Sequence, residues 1–237
     1  MRICIAYICV TNGKRTEDHA AKFLATYHAY PPGFEHDTLI ICNGGPLPIE
    51  QAIMFTSLNA RLWPRPSDDG WDISAYVDAA RGPCEAYDMM LCLGESNYFH
   101  REGWLARLAE AWSKWGPGMY GPYATNVVRA HLQTTAFACP PFLLRNYPAL
   151  VNSRKARYEF EHGEQSLWRR AAARGMPVKL VTWDGEWEPR AWRTPENILW
   201  RGDQSNCLMF SNHTDHYRDA DERRKLNWSK SADRPFK

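Results

Sequence analysis

The chain has 237 residues, of which 44% are hydrophobic and 24% charged, with a formal net charge of +2. That length can bury a core in one α/β domain, with or without a small appendage. The small charge argues against a general nucleic-acid protein while leaving room for a local basic patch. No apolar run nears the ~18 residues of a membrane span, and the first residues enter an apolar strand without a leader-like pattern. The seven cysteines are scattered with no Cys-x-x-Cys pair. A cytoplasmic, reducing setting without structural zinc is therefore expected.

Residues 2–10 read as a buried, apolar strand. Thr16-Glu17-Asp18 opens a helix with a capping residue and acids in its first turn, and Pro31-Pro32 ends it. Residues 37–42 form a second strand, closed by Asn43-Gly44-Gly45. A helix over 48–57, a short strand over 58–63 and a polar loop over 64–70 follow. Residues 72–81 predict a helix, 86–93 a strand apolar except for Asp88, and 102–115 an amphipathic helix stopped by Gly116-Pro117-Gly118. This alternation implies a mostly parallel sheet flanked by helices, with ligands beyond the carboxyl ends of its strands.

The second half is less regular. Strands are expected over 119–125 and 131–139, antiparallel to one another, then a short helix or turn over 141–147. A helix over 159–175 and a strand over 178–183 follow. Residues 184–202 form a long loop containing Trp187, Trp192 and Trp200. Loops of that length are usually functional or mobile. One more strand is expected over 206–211, and a polar tail from 213. From Asp215 to Lys237 there are seven Lys or Arg and five Asp or Glu, a difference of +2, so this segment accounts for the whole net charge.

Four landmarks in order carry a resemblance. They are the strands Ile3-Cys4-Ile5-Ala6-Tyr7-Ile8 and Leu39-Ile40-Ile41-Cys42-Asn43-Gly44-Gly45; Gly70-Trp71-Asp72-Ile73-Ser74-Ala75-Tyr76; Met89-Met90-Leu91-Cys92-Leu93-Gly94-Glu95-Ser96 with Gly103-Trp104-Leu105; and Glu161-His162-Gly163-Glu164-Gln165-Ser166-Leu167-Trp168-Arg169. Together they resemble GT-A glycosyltransferases of the small, family-two-like bacterial and phage type. The resemblance implies a Rossmann-like central sheet with an irregular antiparallel acceptor side. It implies one catalytic domain over residues 1–212, with a nucleotide-sugar half (about 1–125) and an acceptor half (126–212), followed by the polar C-terminal tail over 213–237.

It also implies transfer of a sugar from a nucleotide-diphosphate donor to an acceptor hydroxyl. The departing diphosphate needs its charge stabilised, commonly by a divalent cation held on a carboxylate at a strand end. The family's Asp-x-Asp position reads Leu93-Gly94-Glu95 here, so Gly94 and Glu95 are the donor-site candidates, with one acid in place of two. Asp88 is seven residues upstream and so roughly 23 Å away along the strand, which makes it a strand-start residue. His213 is the late histidine that would join Glu95 on Mn2+ or Mg2+. The alternatives are a surface-turn Glu and an ordinary histidine, or a metal-free site in which Arg201 or Lys225 neutralises the diphosphate.

Asp72 is either a nucleobase or ribose acceptor or a plain helix N-cap, or both. Ala6, Tyr7 and Ile8 would line the base pocket. Inverting transfer needs a general base. Glu164, followed by Leu167 and Arg169, falls at that position, and Glu161 shares its face if the helix is continuous. A solvated helix is the competing reading. His131 and Gln133-Thr134-Thr135 resemble an acceptor-side strand. Trp183, Trp187, Trp192 and Trp200 serve either as packing or as a sugar platform. The acceptor is a glycan or lipid-linked saccharide, or a DNA base if the charged tail meets phosphates. The rival reading is a non-catalytic nucleotide- or carbohydrate-binding module on a degenerate GT-A fold.

Overall fold

Strand β1 (Ile3–Val10) lies at the centre of the molecule because all but its last residue are apolar and fully enclosed. It pairs in parallel with β2 (Asp37–Asn43) on one side and β4 (Met89–Leu93) on the other, and β2 pairs in parallel with β3 (Arg61–Arg65). Such runs, buried on both faces, are what parallel sheets require. The computed structural model describes residues 1–11 and 13–233.

Beyond β4 the direction changes. β8 (Ala136–Cys139) runs antiparallel to both β4 and β5 (Met119–Gly121). β9 (Val178–Val181) is parallel to β5, and β10 (Glu186–Trp187) is an antiparallel edge. Among the described residues this makes one eight-stranded sheet of order β10-β9-β5-β8-β4-β1-β2-β3. β6 (Ala124–Thr125) and β7 (His131–Leu132) form a separate ladder. The expected α/β architecture, parallel on the N-terminal side and irregularly antiparallel on the other, is the one found.

Helices cover the sheet. α1 (Thr16–Ala29) packs on β1. α2 (Ile49–Met54) runs into a 3-10 turn at Phe55–Leu58. α3 (Trp71–Arg81) packs on β1 and β2, and α4 (Trp104–Trp115) on β5 and β9. Trp104 of α4 is fully buried, stacks on Phe99 at 3.8 Å and donates its indole N–H to the Tyr30 carbonyl. α5 (Pro141–Arg145) bridges α3 and α7 (Leu167–Ala173). All seven cysteines are buried free thiols, and no helix among the described residues is long and apolar enough to cross a membrane.

Three expectations change. The single helix over 159–175 is two, α6 (Arg154–His162) and α7, broken at Gly163. Gly163 is extended, at φ −69° and ψ 174°, and a Cβ there would sit 1.9 Å from a Glu159 carboxylate oxygen. The strand over 206–211 is reduced to isolated bridges, Thr182 with Cys207 and Tyr98 with Phe210. The loop over 184–202 is pinned by its tryptophans. Trp183 donates to the Cys207 carbonyl, Trp187 to the Thr182 hydroxyl and the buried Trp192 to the Trp187 carbonyl.

The polar tail is likewise folded. Ser211 makes a capping box with Thr214 at the start of α8 (Asn212–Arg218), and Asp221 caps α9 (Glu222–Ala232). Each such cap is worth about 1 kcal/mol. Asp215 pairs with Lys22 at 2.8 Å, Asp233 with Arg193 at 2.8 Å, and the Ser229 hydroxyl donates to the Trp200 carbonyl. This segment is joined to the body rather than separate from it. Residues 234–237 lie outside the described residues.

Candidate active site

The carboxyl end of β4 is a locked turn. Gly94 N–H donates to the Thr135 carbonyl at 2.8 Å, and the buried Asn97 amide donates to the carbonyls of Gly94 and Thr135 at 2.9 and 2.7 Å. Space at Gly94 is tight: a Cβ would lie 3.1 Å from Asp72 Oδ2 and 3.2 Å from the Thr135 carbonyl oxygen. The strand end and the start of α3 therefore touch here.

Asp72 is not the cap of α3. Gly70 occupies that position, at φ 73°, and Asp72 is the second helical residue, where the positive end of the helix favours an acid. Its carboxyl is enclosed by protein although part of the residue reaches solvent. Burial raises its pKa to about 6. Arg157 opposes that shift, while Glu95 and Glu161 add to it. Arg157, Glu95 and Glu161 are thus the charges that act on Asp72. The His213 pKa is lowered by burial and by His216 and Arg157, and Glu161 counters this.

Glu95 is turned toward the end of β1 and the start of α1. Its Oε1 is 2.7 Å from the Thr16 hydroxyl and 3.3 Å from the Val10 N–H that donates to it, and its Oε2 lies 3.3 Å from His19 Nδ1. Its carbonyl accepts from the Tyr7 hydroxyl at 2.7 Å. Metal ligation by Glu95 and His213 fits this arrangement poorly. The Glu95 carboxylate already has protein partners in Thr16, Val10 and His19.

Ala6, Tyr7 and Ile8 do not line a pocket. The strand continues to Val10, all three residues have no exposed surface, and the Tyr7 ring stacks on Phe23 at 4.0 Å. Tyr7 instead supports the turn at Glu95 from below. Arg201 is committed to the Arg193 carbonyl at 2.6 Å and Glu196 at 2.9 Å. Asp88 accepts the Arg2 N–H at 2.6 Å at the opposite, amino end of the sheet, as its position on the strand predicts.

The two candidate bases separate sharply. Glu164 lies in the break between α6 and α7, 74% exposed, and pairs with Arg129 at 3.2 Å and Arg169 at 3.6 Å. Glu161 is 15% exposed, accepts a hydrogen bond from the Thr134 hydroxyl, and has Arg157 Nε at 3.7 Å and His162 Nε2 at 3.8 Å. Thr134 thus ties the acceptor-side run to Glu161. Neighbouring His131 is buried against His162, ring centres 4.1 Å apart, and burial with the His162 charge lowers its pKa to about 3. Arg157 had a readable signal in its i, i+4 spacing to Glu161.

No protein-family model matches the chain, and no curated protein matches it. Solved structures with a similar course of chain include TarS of S. aureus, with 11% identity and a TM-score of 0.45 over 62% of this chain and 30% of that one. TarS 1–349 of S. aureus in complex with UDP matches with 11% identity and a TM-score of 0.48 over 66% and 53%. A cytidylyltransferase from Leptospira borgpetersenii serovar Hardjo-bovis matches with 12% identity and a TM-score of 0.46 over 67% and 71%. The chain thus spans under a third of TarS and about half of its 1–349 piece.

Proposed function

We propose that this chain is a glycosyltransferase that takes a sugar from a nucleotide-diphosphate donor. The observation that carries the reading is a run of contacts beyond the carboxyl ends of β1 and β4: Gly94 lies against Asp72 and the Thr135 carbonyl, and the adjacent Thr134 binds Glu161 beside Arg157, in the place where open α/β sheets bind their ligands. Asp72 accepts from the nucleotide moiety of the donor. Glu161 is the general base. It takes the acceptor's hydroxyl proton as that oxygen bonds to the anomeric carbon and the bond from that carbon to the diphosphate oxygen breaks. Thr134 holds the Glu161 carboxylate in place. Arg157 supplies positive charge beside the departing diphosphate. Glu95 shapes the turn through Thr16 and Val10, and no step is assigned to a metal on it. The acceptor is a saccharide.

A binding module without turnover is the second reading, favoured by the commitment of Glu95 to protein partners. Incubation of the purified chain with UDP-, GDP- and CDP-linked sugars, with and without Mn2+, separates the two. Release of nucleoside diphosphate that is lost in Glu161→Gln supports the transferase. Donor binding without release in any condition supports the module.

A further inference from the structure

Next to Glu161 lies a groove of about 310 Å³, lined by Trp71, Arg154, Arg157, Tyr158, Glu161 and His162. Its volume is at the lower end for small-molecule sites, about 300–1,000 Å³. Five of the six residues are at positions i, i+3, i+4, i+7 and i+8 of α6, a single stripe of that helix, while Phe160 faces the core. Amphipathic helices usually leave their polar stripe open to solvent. Here it is walled by Trp71, which faces it from the start of α3.

Two features suit this groove to a ligand of particular chemistry. Its flat apolar faces, Trp71 and Tyr158, are 42% and 41% exposed. Trp71 adopts φ 52°, a left-handed conformation that costs a bulky residue roughly 1–2 kcal/mol. Exposed aromatic faces suit the C–H face of a pyranose. The cations are arranged in order. Arg157, at the inner end, shares its charge with Glu161. The Arg154 guanidinium, one turn further out, makes no hydrogen bond or ion pair among the described residues. Arg129 and Arg169 are instead both taken up by Glu164.

We infer that this groove is an acceptor subsite for an anionic saccharide, one whose phosphate or carboxylate reaches Arg154 while a neighbouring hydroxyl lies at Glu161. The inference rests on the transferase reading and narrows its acceptor class. The groove is short and has one acid among its six lining residues, which suits a single charged sugar unit better than a track of nucleic-acid phosphates, where several cations in a row are needed.

The test is calorimetric titration of the full chain with glucose 6-phosphate, glucuronate and glucose, repeated with Arg154→Gln and Trp71→Ala. Both anionic sugars should bind about tenfold more tightly than glucose, the weight of one charge-assisted hydrogen bond. That advantage should disappear in Arg154→Gln, and Trp71→Ala should weaken all three sugars. The response to one anion alone identifies the group as phosphate or carboxylate. Equal binding of the three sugars, no binding of any, or an advantage that survives Arg154→Gln overturns the inference. So does an oligodeoxynucleotide that binds more tightly than the sugar phosphates with a steep salt dependence. A parallel titration with UDP, GDP and CDP keeps the two readings apart. Nucleotide binding without anionic preference defeats the subsite alone, whereas no nucleotide binding defeats the transferase reading beneath it.

Discussion

Glu161 and Glu164 are three residues apart in one acidic segment, yet they occupy two different regions of the molecule. Glu161 lies in the last turn of α6 and faces inward to Arg157 and Thr134. Glu164 follows the break at Gly163 and faces water between two arginines. A base must lie beside the acceptor and outside bulk solvent to act in the transition state. Helical spacing puts two acids on one face only while the helix lasts, and a single extended glycine at 163 parts Glu161 from Glu164.

The largest effect expected from this contrast is on turnover. Glu161→Gln should lower it at least about 100-fold, the typical contribution of a positioned base, with nucleotide affinity kept. Steady-state release of nucleoside diphosphate measures it, and equal losses in Glu161→Gln and Glu164→Gln would erase the distinction.

Next comes stability at Asp72. Its pKa is raised from 3.8 to about 6, so between those values the unfolded chain ionises while the folded chain holds its proton. Folded-state stability is full below about pH 3.8 and falls as pH rises to about 6. At 1.36 kcal/mol per unit, the cost at neutral pH reaches roughly 3 kcal/mol. Asp72→Asn should therefore be more stable than the wild type at pH 7 and equal to it near pH 3.5 by urea denaturation, while binding nucleotide less well. Destabilisation at pH 7 would remove Asp72 from the strained half of the comparison.

Gly94→Ala ranks third. The added methyl meets Asp72 and the Thr135 carbonyl at 3.1 and 3.2 Å, and such overpacking costs about 1–3 kcal/mol. Thermal denaturation and nucleotide titration should both register it. Glu164→Gln comes last. It removes an exposed pair worth under about 1 kcal/mol, so turnover and stability should stay close to the wild type.

The parallel half of the fold was legible because β1, β2 and β4 are apolar runs buried on both faces, and strand spacing alone sends Asp88 to the far end of the sheet. Asp72, Glu161 and Glu164 could all be named as candidates from the sequence, and the motif position favoured Glu164 over Glu161. The burial that distinguishes Glu161 from Glu164 depends on Thr134 and Arg157, contacts that no local pattern encodes. Ala6, Tyr7 and Ile8 were misjudged because the length of β1 sets which residues reach the ligand edge, and the strand runs on to Val10. The C-terminal segment looked like a tail because its composition is polar. Its order comes from two local caps and a few long-range pairs, Lys22 with Asp215 and Arg193 with Asp233.

The account stands most directly on where a nucleoside diphosphate binds. A crystal structure with UDP, GDP or CDP should show it beyond the carboxyl ends of β1 and β4, with its nucleoside toward Asp72 and its phosphates toward Arg157. Density confined to the groove between Gly202 and Tyr217, or to the amino end of the sheet near Asp88, would contradict it.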